Sequence, residues 1–275
     1  MKKQHHSKKI KICALGALYH GDKSIFLAEC LDSLRSQTLK LPLIMVIDGP
    51  ISMELEEILI LYKDLNIRLI RNIENLGLSA ALQKGLNTIK DEYDYVIRFD
   101  SDDINDSKRF QTIVNYFISN NVDLLSSHMH EIDEHGNIFS KRDVPVGQKK
   151  IKRKFPYRNP INHPASAFKI SSVLASGGYQ EMPYFEDWYL WIRMYRAGFK
   201  IENIDDFLVS FRATDSMVAR RYGFSYVKHE INFFHQRSKE NLINPIENWV
   251  AFLARLTVKA FGFRAYKKVF YWIRK

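Results

Sequence analysis

Three carboxylates, Asp100, Asp102 and Asp103, follow directly on the run Tyr95-Val96-Ile97-Arg98-Phe99. That run is rich in strand formers, and Asn105-Asp106-Ser107 beyond it carries turn and helix-cap chemistry. Acid at the carboxyl end of a central strand is unfavourable unless a positive group meets it there. In an open α/β sheet that edge is where ligands bind. Asp100 and Asp102 alternate with Ser101, so in an extended chain both point the same way. Two oxygen ligands on one face suit a hard divalent cation, magnesium or manganese, shared with substrate phosphates. The plainer reading of this stretch is a polar loop that caps a helix from about Ser107. A calcium-binding EF-hand loop does not fit, because Asn105 or Lys108 would fall where glycine is needed.

Other groups with chemical potential lie downstream. Glu186-Asp187 opens a helical stretch, where acids are commonplace because they suit the helix dipole. Lys149, Lys150, Lys152, Arg153 and Lys154 crowd Gln148–Phe155. They read as a solvated helix face or as a loop closing on a diphosphate. Cys13 and Cys30 have no metal or redox spacing and read as free thiols of a reducing compartment.

The elements that must position these groups follow from apolar periodicity. Ile10–Leu18 is predicted as a strand, Ser24 to about Gln37 as a helix, and Leu43–Ile47 as a second strand ending in the turn Asp48-Gly49-Pro50. A helix from Ser52 to about Asp64, a strand Ile67–Ile70, a helix Leu78–Ile89 and a strand Tyr93–Phe99 complete a β-α-β-α-β-α-β series. This is α/β patterning: a mostly parallel central sheet with helices on both faces. Asp48, Asn75-Leu76-Gly77 and Asp100–Asp103 all fall at or just beyond strand carboxyl ends, so they are expected to converge on one crevice. No GxGxxG follows the first strand and no GxxxxGK[ST] occurs, so neither a dinucleotide fold nor a P-loop is supported.

Beyond Asp103 the pattern predicts a helix Lys108–Asn120, a strand Val122–Ser126 and a hairpin turn over Glu131–Asn137. Then come a strand Ser166–Phe168, a turn at Gly177-Gly178-Tyr179 and a helix Trp188–Ala197 ended by Gly198. Asp205-Asp206 is expected as a turn before a strand Phe207–Arg212. From about Tyr222 the chain reads as helical to its end, broken near Asn244-Pro245 and Gly262. Residues 252–275 carry seven cations and no acid, with Tyr266, Val269, Phe270 and Ile273 on one helical face. Such a basic amphipathic extension suits an anionic membrane surface, or packs on the domain with a solvated basic edge. The expected organisation is a basic tail over 1–9, one domain over 10–225 (halves 10–103 and 104–225) and a helical extension over 226–275.

A net charge of +10 over 275 residues calls for an anionic partner: nucleic acid, an anionic membrane or a phosphorylated substrate. No apolar run reaches the ~18 residues of a membrane span. The lysines before Ile12–Tyr19 imitate a secretory leader, but the apolar run is short and His20-Gly21-Asp22 stands where a cleavage site belongs.

Taken in order, the motifs resemble the inverting family 2 glycosyltransferases of the GT-A fold. The nearest branch is bacterial polysaccharide synthesis, typified by amylovoran, O-antigen and capsule transferases. The resemblance rests on Phe26–Leu34 with Gln37-Thr38, Ile47-Asp48-Gly49-Pro50, Asn75-Leu76-Gly77-Leu78, Asp100-Ser101-Asp102-Asp103, Asn162-His163-Pro164, Gly177-Gly178-Tyr179 and Phe185-Glu186-Asp187. It implies that Ala17 and Tyr19 border the nucleotide base, that Asp48 bonds the uracil ring, and that Asn75 and Gly77 lie against the nucleoside. Asp100 is then expected by the ribose or sugar, and Asp102 on the manganese or magnesium that bridges the phosphates. Asp187 would be the catalytic base with Glu186 beside it toward the acceptor, and His163 would reach the diphosphate or the acceptor site. The first strand ends Ala14–Tyr19 without the family's usual proline, so the base contacts depart most from the pattern.

The implied activity is transfer of a hexose, with galactose the first choice, from a UDP-sugar to an undecaprenyl-diphosphate-linked sugar. The implied place is the inner face of a bacterial cytoplasmic membrane, with no nucleic-acid partner. A sugar-phosphate nucleotidyltransferase would need a glycine-rich loop with arginine and lysine after the first strand, and Ala14–Gly21 has neither cation. A nucleic-acid-binding protein is allowed by charge, but no recognised module is present.

Overall fold

The computed structural model describes residues 10–213, 221 and 223–260. Its first half alternates as the periodicity predicts: β1 (Ile12–Tyr19), α1 (Ser24–Arg35), β2 (Leu43–Asp48), α2 (Met53–Leu61), β3 (Arg68–Arg71), α3 (Leu78–Ile89) and β4 (Tyr95–Arg98). Then follow β5 (Ile104–Asn105), α4 (Arg109–Ser119), β6 (Leu124–Ile132), β7 (Ile138–Arg142), α5 (Gln148–Lys154), β8 (Ala167–Lys169), α6 (Ile170–Ala175), α7 (Glu186–Arg196), β9 (Ile201–Arg212), α8 (Phe224–Lys239) and α9 (Pro245–Ala260).

One sheet runs β3-β2-β1-β4-β8-β6-β9-β5, with β7 paired to β6. The strands β3, β2, β1 and β4 are parallel. Beyond them the sheet is mixed: β8 is antiparallel to β4 and β6, while β6 and β9 are parallel. Successive side chains on a strand face opposite sides, and the core divides accordingly. Cys13, Leu15, Ile44, Val46 and Val96 join one apolar cluster with residues of α3, α6 and α7. Ile12, Ala14, Met45, Ile47, Tyr95 and Ile97 join the other with residues of α1, α2 and α4. Cys13 and Cys30 are buried and free, one in each cluster.

The helical extension is part of this packing. Phe233, Phe234, Leu242, Ile243 and Ala251 lie in the same cluster as Trp188 and Trp191 of α7. The basic tail 1–9 and the aromatic face from Tyr266 onward lie outside the described residues.

Three local expectations are corrected. Asp205-Asp206 is not a turn: β9 runs through it, and two register shifts against β6 accommodate the extra residues. Pairing with the nine-residue β6 outweighs local turn propensity, and Asp205 is held by His128 Nε2 at 2.8 Å. β6 itself reaches Ile132 rather than Ser126. β4 ends at Arg98, and Ser101-Asp102 is a turn, so the two acids do not meet by strand alternation.

Candidate active site

The carboxyl ends of β1 and β2 lie side by side, with Tyr19 in register with Asp48. Asp48 is buried, and its carboxylate accepts from Asn72 Nδ2 at 2.7 Å, the Leu76 N–H at 3.0 Å and the Gly77 N–H at 2.8 Å. It therefore shapes the loop that leads into α3. Gly49 makes this approach possible: its φ is +83°, and a Cβ there would stand 2.6 Å from the Asn75 nitrogen. Tyr19, Asn75 and Gly77 are exposed and Ala17 is partly so, which leaves this edge open.

Next to it the turn after β4 gathers acid. Asp22, in the loop after β1, accepts from the Tyr19 N–H at 3.1 Å and from Ser101 Oγ at 2.8 Å, tying that loop to the turn. Burial pushes the Asp22 carboxyl up to about 6. Burial and the charges of Asp100 and Asp22 push Asp102 up to about 7. Asp103 is buried beneath, held by the Arg212 N–H at 2.9 Å, while Arg212 Nε donates to the Asp102 carbonyl at 3.0 Å. Arg109, fully buried, donates to the carbonyls of Arg98 (2.7 Å) and Pro164 (2.9 Å), locking the end of β4 to the turn at His163–Ala165.

Asp102 fits a divalent cation on chemical grounds. Its carboxylate accepts from no side chain among the described residues, and its neighbours are like charges that a cation would neutralise. Among the described residues no group of three His, Cys, Asp or Glu is placed to hold a metal alone. A magnesium-type ion is commonly held by one or two carboxylates, with water and substrate phosphates completing the shell.

The second acidic pair opens α7. Asp187 Oδ2 accepts from Asn159 Nδ2 at 2.7 Å and Oδ1 from the Trp188 N–H at 2.6 Å. Burial raises its carboxyl, opposed by the Trp188 N–H and by the charges of Arg142, Arg221 and Arg98. Glu186 is pushed up to about 7 by burial and by Asp187. A carboxyl raised in the fold binds protons more tightly than in the unfolded chain, so its contribution to stability falls between its ordinary value of 4.5 and about 7. Glu186→Gln is therefore expected to stabilise the protein at pH 8, by an amount on the order of 2 kcal/mol, with no gain at pH 4.5. Melting temperatures of both proteins across that range check this, and a difference that does not change with pH would contradict it.

His163 is not placed as a charged ligand group. It is buried, its Nε2 meets the Tyr179 hydroxyl at 2.8 Å, and its ring lies edge-on to Trp191 at 5.9 Å. Burial and the charge of Arg98 hold it well below the ordinary histidine range, so it is neutral. Its place is in the wall, where it orients Tyr179.

Arg98 joins the two acidic groups. It has the same parity on β4 as Val96, which faces α3 and α7. Its Nη2 pairs with Asp100 Oδ1 at 2.5 Å, and its charge also acts on Asp103, Glu186 and Asp187. Tyr179 in turn feels Asp100, Asp187 and Glu186. The acids after β4 and those opening α7 thus share one polar chamber around Arg98. Asp22, Arg98 and Asn159 escape motif reading, and Tyr179 enters it only as the end of the Gly177-Gly178-Tyr179 turn. Of the first three, only Arg98 leaves a trace in the sequence, as a lone cation in an apolar strand next to three acids. A separate groove of about 580 Å³ lies beside this chamber, between α3 and Tyr179–Glu181.

Comparison with known proteins gives a consistent picture. The model of the family described as "Glycosyl transferase family 2" matches residues 23–176. An amylovoran biosynthesis glycosyltransferase of Erwinia amylovora is 34% identical over 87% of this chain and 90% of its own. A UDP-Gal:α-D-GlcNAc-diphosphoundecaprenol β-1,3-galactosyltransferase of Escherichia coli is 33% identical over 94% and 96%. Among solved structures, S. aureus TarS superposes with a TM-score of 0.65 at 16% identity, over 92% of this chain and 44% of that one, and has been solved with UDP-GlcNAc.

Proposed function

Because this chain belongs to glycosyl transferase family 2, we propose that it is a metal-dependent, inverting hexosyltransferase of surface-polysaccharide synthesis. Its fold is that of the GT-A nucleotide-sugar transferases. The donor is a UDP-sugar, with UDP-galactose the first to test, and the acceptor is a sugar on undecaprenyl diphosphate, as the name of the Escherichia coli relative suggests. The observation that carries the reading is the meeting of two acidic groups around Arg98 at the carboxyl edge of the sheet.

The division of labour follows from position. The edge formed by Ala17, Tyr19, Asn75 and Gly77, shaped by Asp48, receives the nucleoside. Asp102 holds the cation, which when bound supplies Lewis-acid stabilisation of the departing diphosphate. Asp187 accepts the proton of the attacking acceptor hydroxyl, oriented by Asn159 and the Trp188 N–H. The sugar passes through an oxocarbenium-like state. Attack opposite the leaving group inverts the anomeric carbon, so one base suffices. Melting curves with UDP-, GDP- and dTDP-sugars, each with and without manganese, test the donor class. UDP-sugars with manganese are expected to raise the melting temperature most; a shift with GDP- or dTDP-sugars alone would overturn the UDP assignment.

We place the protein on the inner face of the membrane, where a lipid-linked acceptor resides. Among the described helices none is long and apolar enough to cross a bilayer. The outward face of α9, however, shows Ile246 (75% exposed), Trp249 (60%), Val250 (52%) and Leu253 (54%) on successive turns. Beside it the sequence from 255 onward is cationic and free of acid. An apolar stripe with a basic flank suits an anionic lipid surface. Trp249→Ser with Leu253→Ser is expected to weaken flotation with phosphatidylglycerol vesicles at least tenfold, leaving transfer to a water-soluble acceptor intact. Unchanged flotation would remove α9 from this role.

A further inference from the structure

The Arg98 guanidinium is 2% exposed, yet only Nη2 has a partner, and buried Nε and Nη1 donate to nothing among the described residues. Leaving two N–H groups of a buried cation unpaired is costly. A fold that tolerates this provides donors for something that arrives. The position says where. In an inverting displacement the transferred sugar lies between leaving group and base, and Arg98 pairs with Asp100 after β4 while its charge reaches the acids opening α7.

The chemistry of the chamber selects the ligand. Asp22, Asp100, Asp102, Asp103, Glu186 and Asp187 gather here with Arg98, Arg109, Arg142, Arg212 and Arg221, and burial raises Asp22, Asp102, Asp103, Glu186 and Asp187 toward the neutral form. Asp100 already answers the charge of Arg98. With its charge answered, Arg98 has two N–H donors free among the described residues but no unmatched charge to offer, which suits a neutral oxygen acceptor rather than a second anion. The charge of Arg98 also acts on a neutral histidine–tyrosine pair, His163 and Tyr179, and the His163 ring meets Trp191 edge-on. Guanidinium, carboxylate and aromatic rings together suit a hexose.

We propose that Arg98 is a specificity-determining residue that donates from Nε and Nη1 to neighbouring hydroxyl oxygens of the transferred sugar while Nη2 holds Asp100 beside them. This rests on the sugar-nucleotide reading given above and goes beyond it, since Arg98 belongs to none of the motifs that led there. It makes the end of β4 read the sugar, where the turn after it serves the diphosphate.

The test measures kcat/KM for UDP-galactose and its 2-, 3-, 4- and 6-deoxy analogues with the wild type and with Arg98→Lys, which keeps the charge and loses the fork. In the wild type, removal of each of two adjacent hydroxyls is expected to lower kcat/KM 10- to 100-fold. Arg98→Lys is expected to lose a similar factor on the full sugar and to show under threefold discrimination against those two analogues, with UDP affinity unchanged. Equal losses on every donor would mean that Arg98 acts on the fold or holds a water only, and would overturn the proposal. Loss of UDP affinity would assign the free donors to the diphosphate and overturn it as well. Should Arg98→Lys fail to fold, the wild-type series decides: no adjacent pair of sensitive hydroxyls, no clamp. A wild type that transfers from no UDP-sugar, under conditions where another nucleotide sugar is used, would overturn instead the donor assignment on which the clamp rests.

Discussion

Asp187→Asn is expected to lower kcat by about 10²–10⁴-fold while UDP-sugar affinity stays within a few-fold of wild type. The substitution keeps shape and size. Its amide oxygen can still accept either the Trp188 N–H or Asn159 Nδ2, while Asn159 stays fixed because its Oδ1 accepts the Ile161 N–H at 3.1 Å. What is lost is the ability to take a proton. The neighbour reports on the change independently: after burial, the charge of Asp187 is what raises Glu186 to about 7. Removing its charge should lower the Glu186 value and move the acid limb of any residual pH–rate profile downward. Full kcat in the variant, with the acid limb unmoved, would take the base role away from Asp187. Strong residual activity with a shifted limb would hand it to Glu186.

Asp102→Asn is expected to act in opposite directions on function and stability. Metal-dependent enhancement of UDP-sugar binding should disappear, with transfer reduced at least 10²-fold. The metal-free variant should nonetheless melt higher than wild type at pH 8. Asp102 sits at about 7 because burial and the charges of Asp100 and Asp22 oppose its ionisation. Above that pH the folded protein carries a charge that the unfolded chain would hold more easily, and asparagine removes it. Below pH 4 both proteins carry a neutral side chain there, so the gain should vanish. This exchange of stability for a charged site is common where function demands it. Calorimetry of UDP-sugar binding with and without manganese, beside melting curves at pH 4 and pH 8, reads both effects. A variant that retains the metal dependence contradicts the ligand role, and one that melts lower at pH 8 contradicts the electrostatic account.

Much of this protein is written in short-range pattern. The alternation of apolar runs at periods of 2 and 3.6 marked β1 to β4 and α1 to α3 to within a few residues, with α3 predicted to its observed ends. The run of acids after an apolar strand marked the carboxyl edge of the sheet as the place for chemistry, and Glu186-Asp187 marked the start of α7. These features are legible because strand alternation, helix facing and capping are decided among residues a few positions apart. The tertiary structure alone decided the rest. It ran β9 through Asp205-Asp206, because nine residues of parallel pairing with β6 outweigh two residues of turn propensity. It turned His163 from a candidate ligand group into a neutral wall residue, since burial beside Arg98 disfavours its charge. It brought Ser101 to Asp22, the Arg212 backbone to Asp103, and the charge of Arg98 to the acids of α7. The groups in these encounters are separated by 79, 109 and nearly 90 residues of chain. No local period records them: the electrostatics of the site belongs to the packing of the two halves of the sheet, and a charge is tuned by what the fold sets beside it.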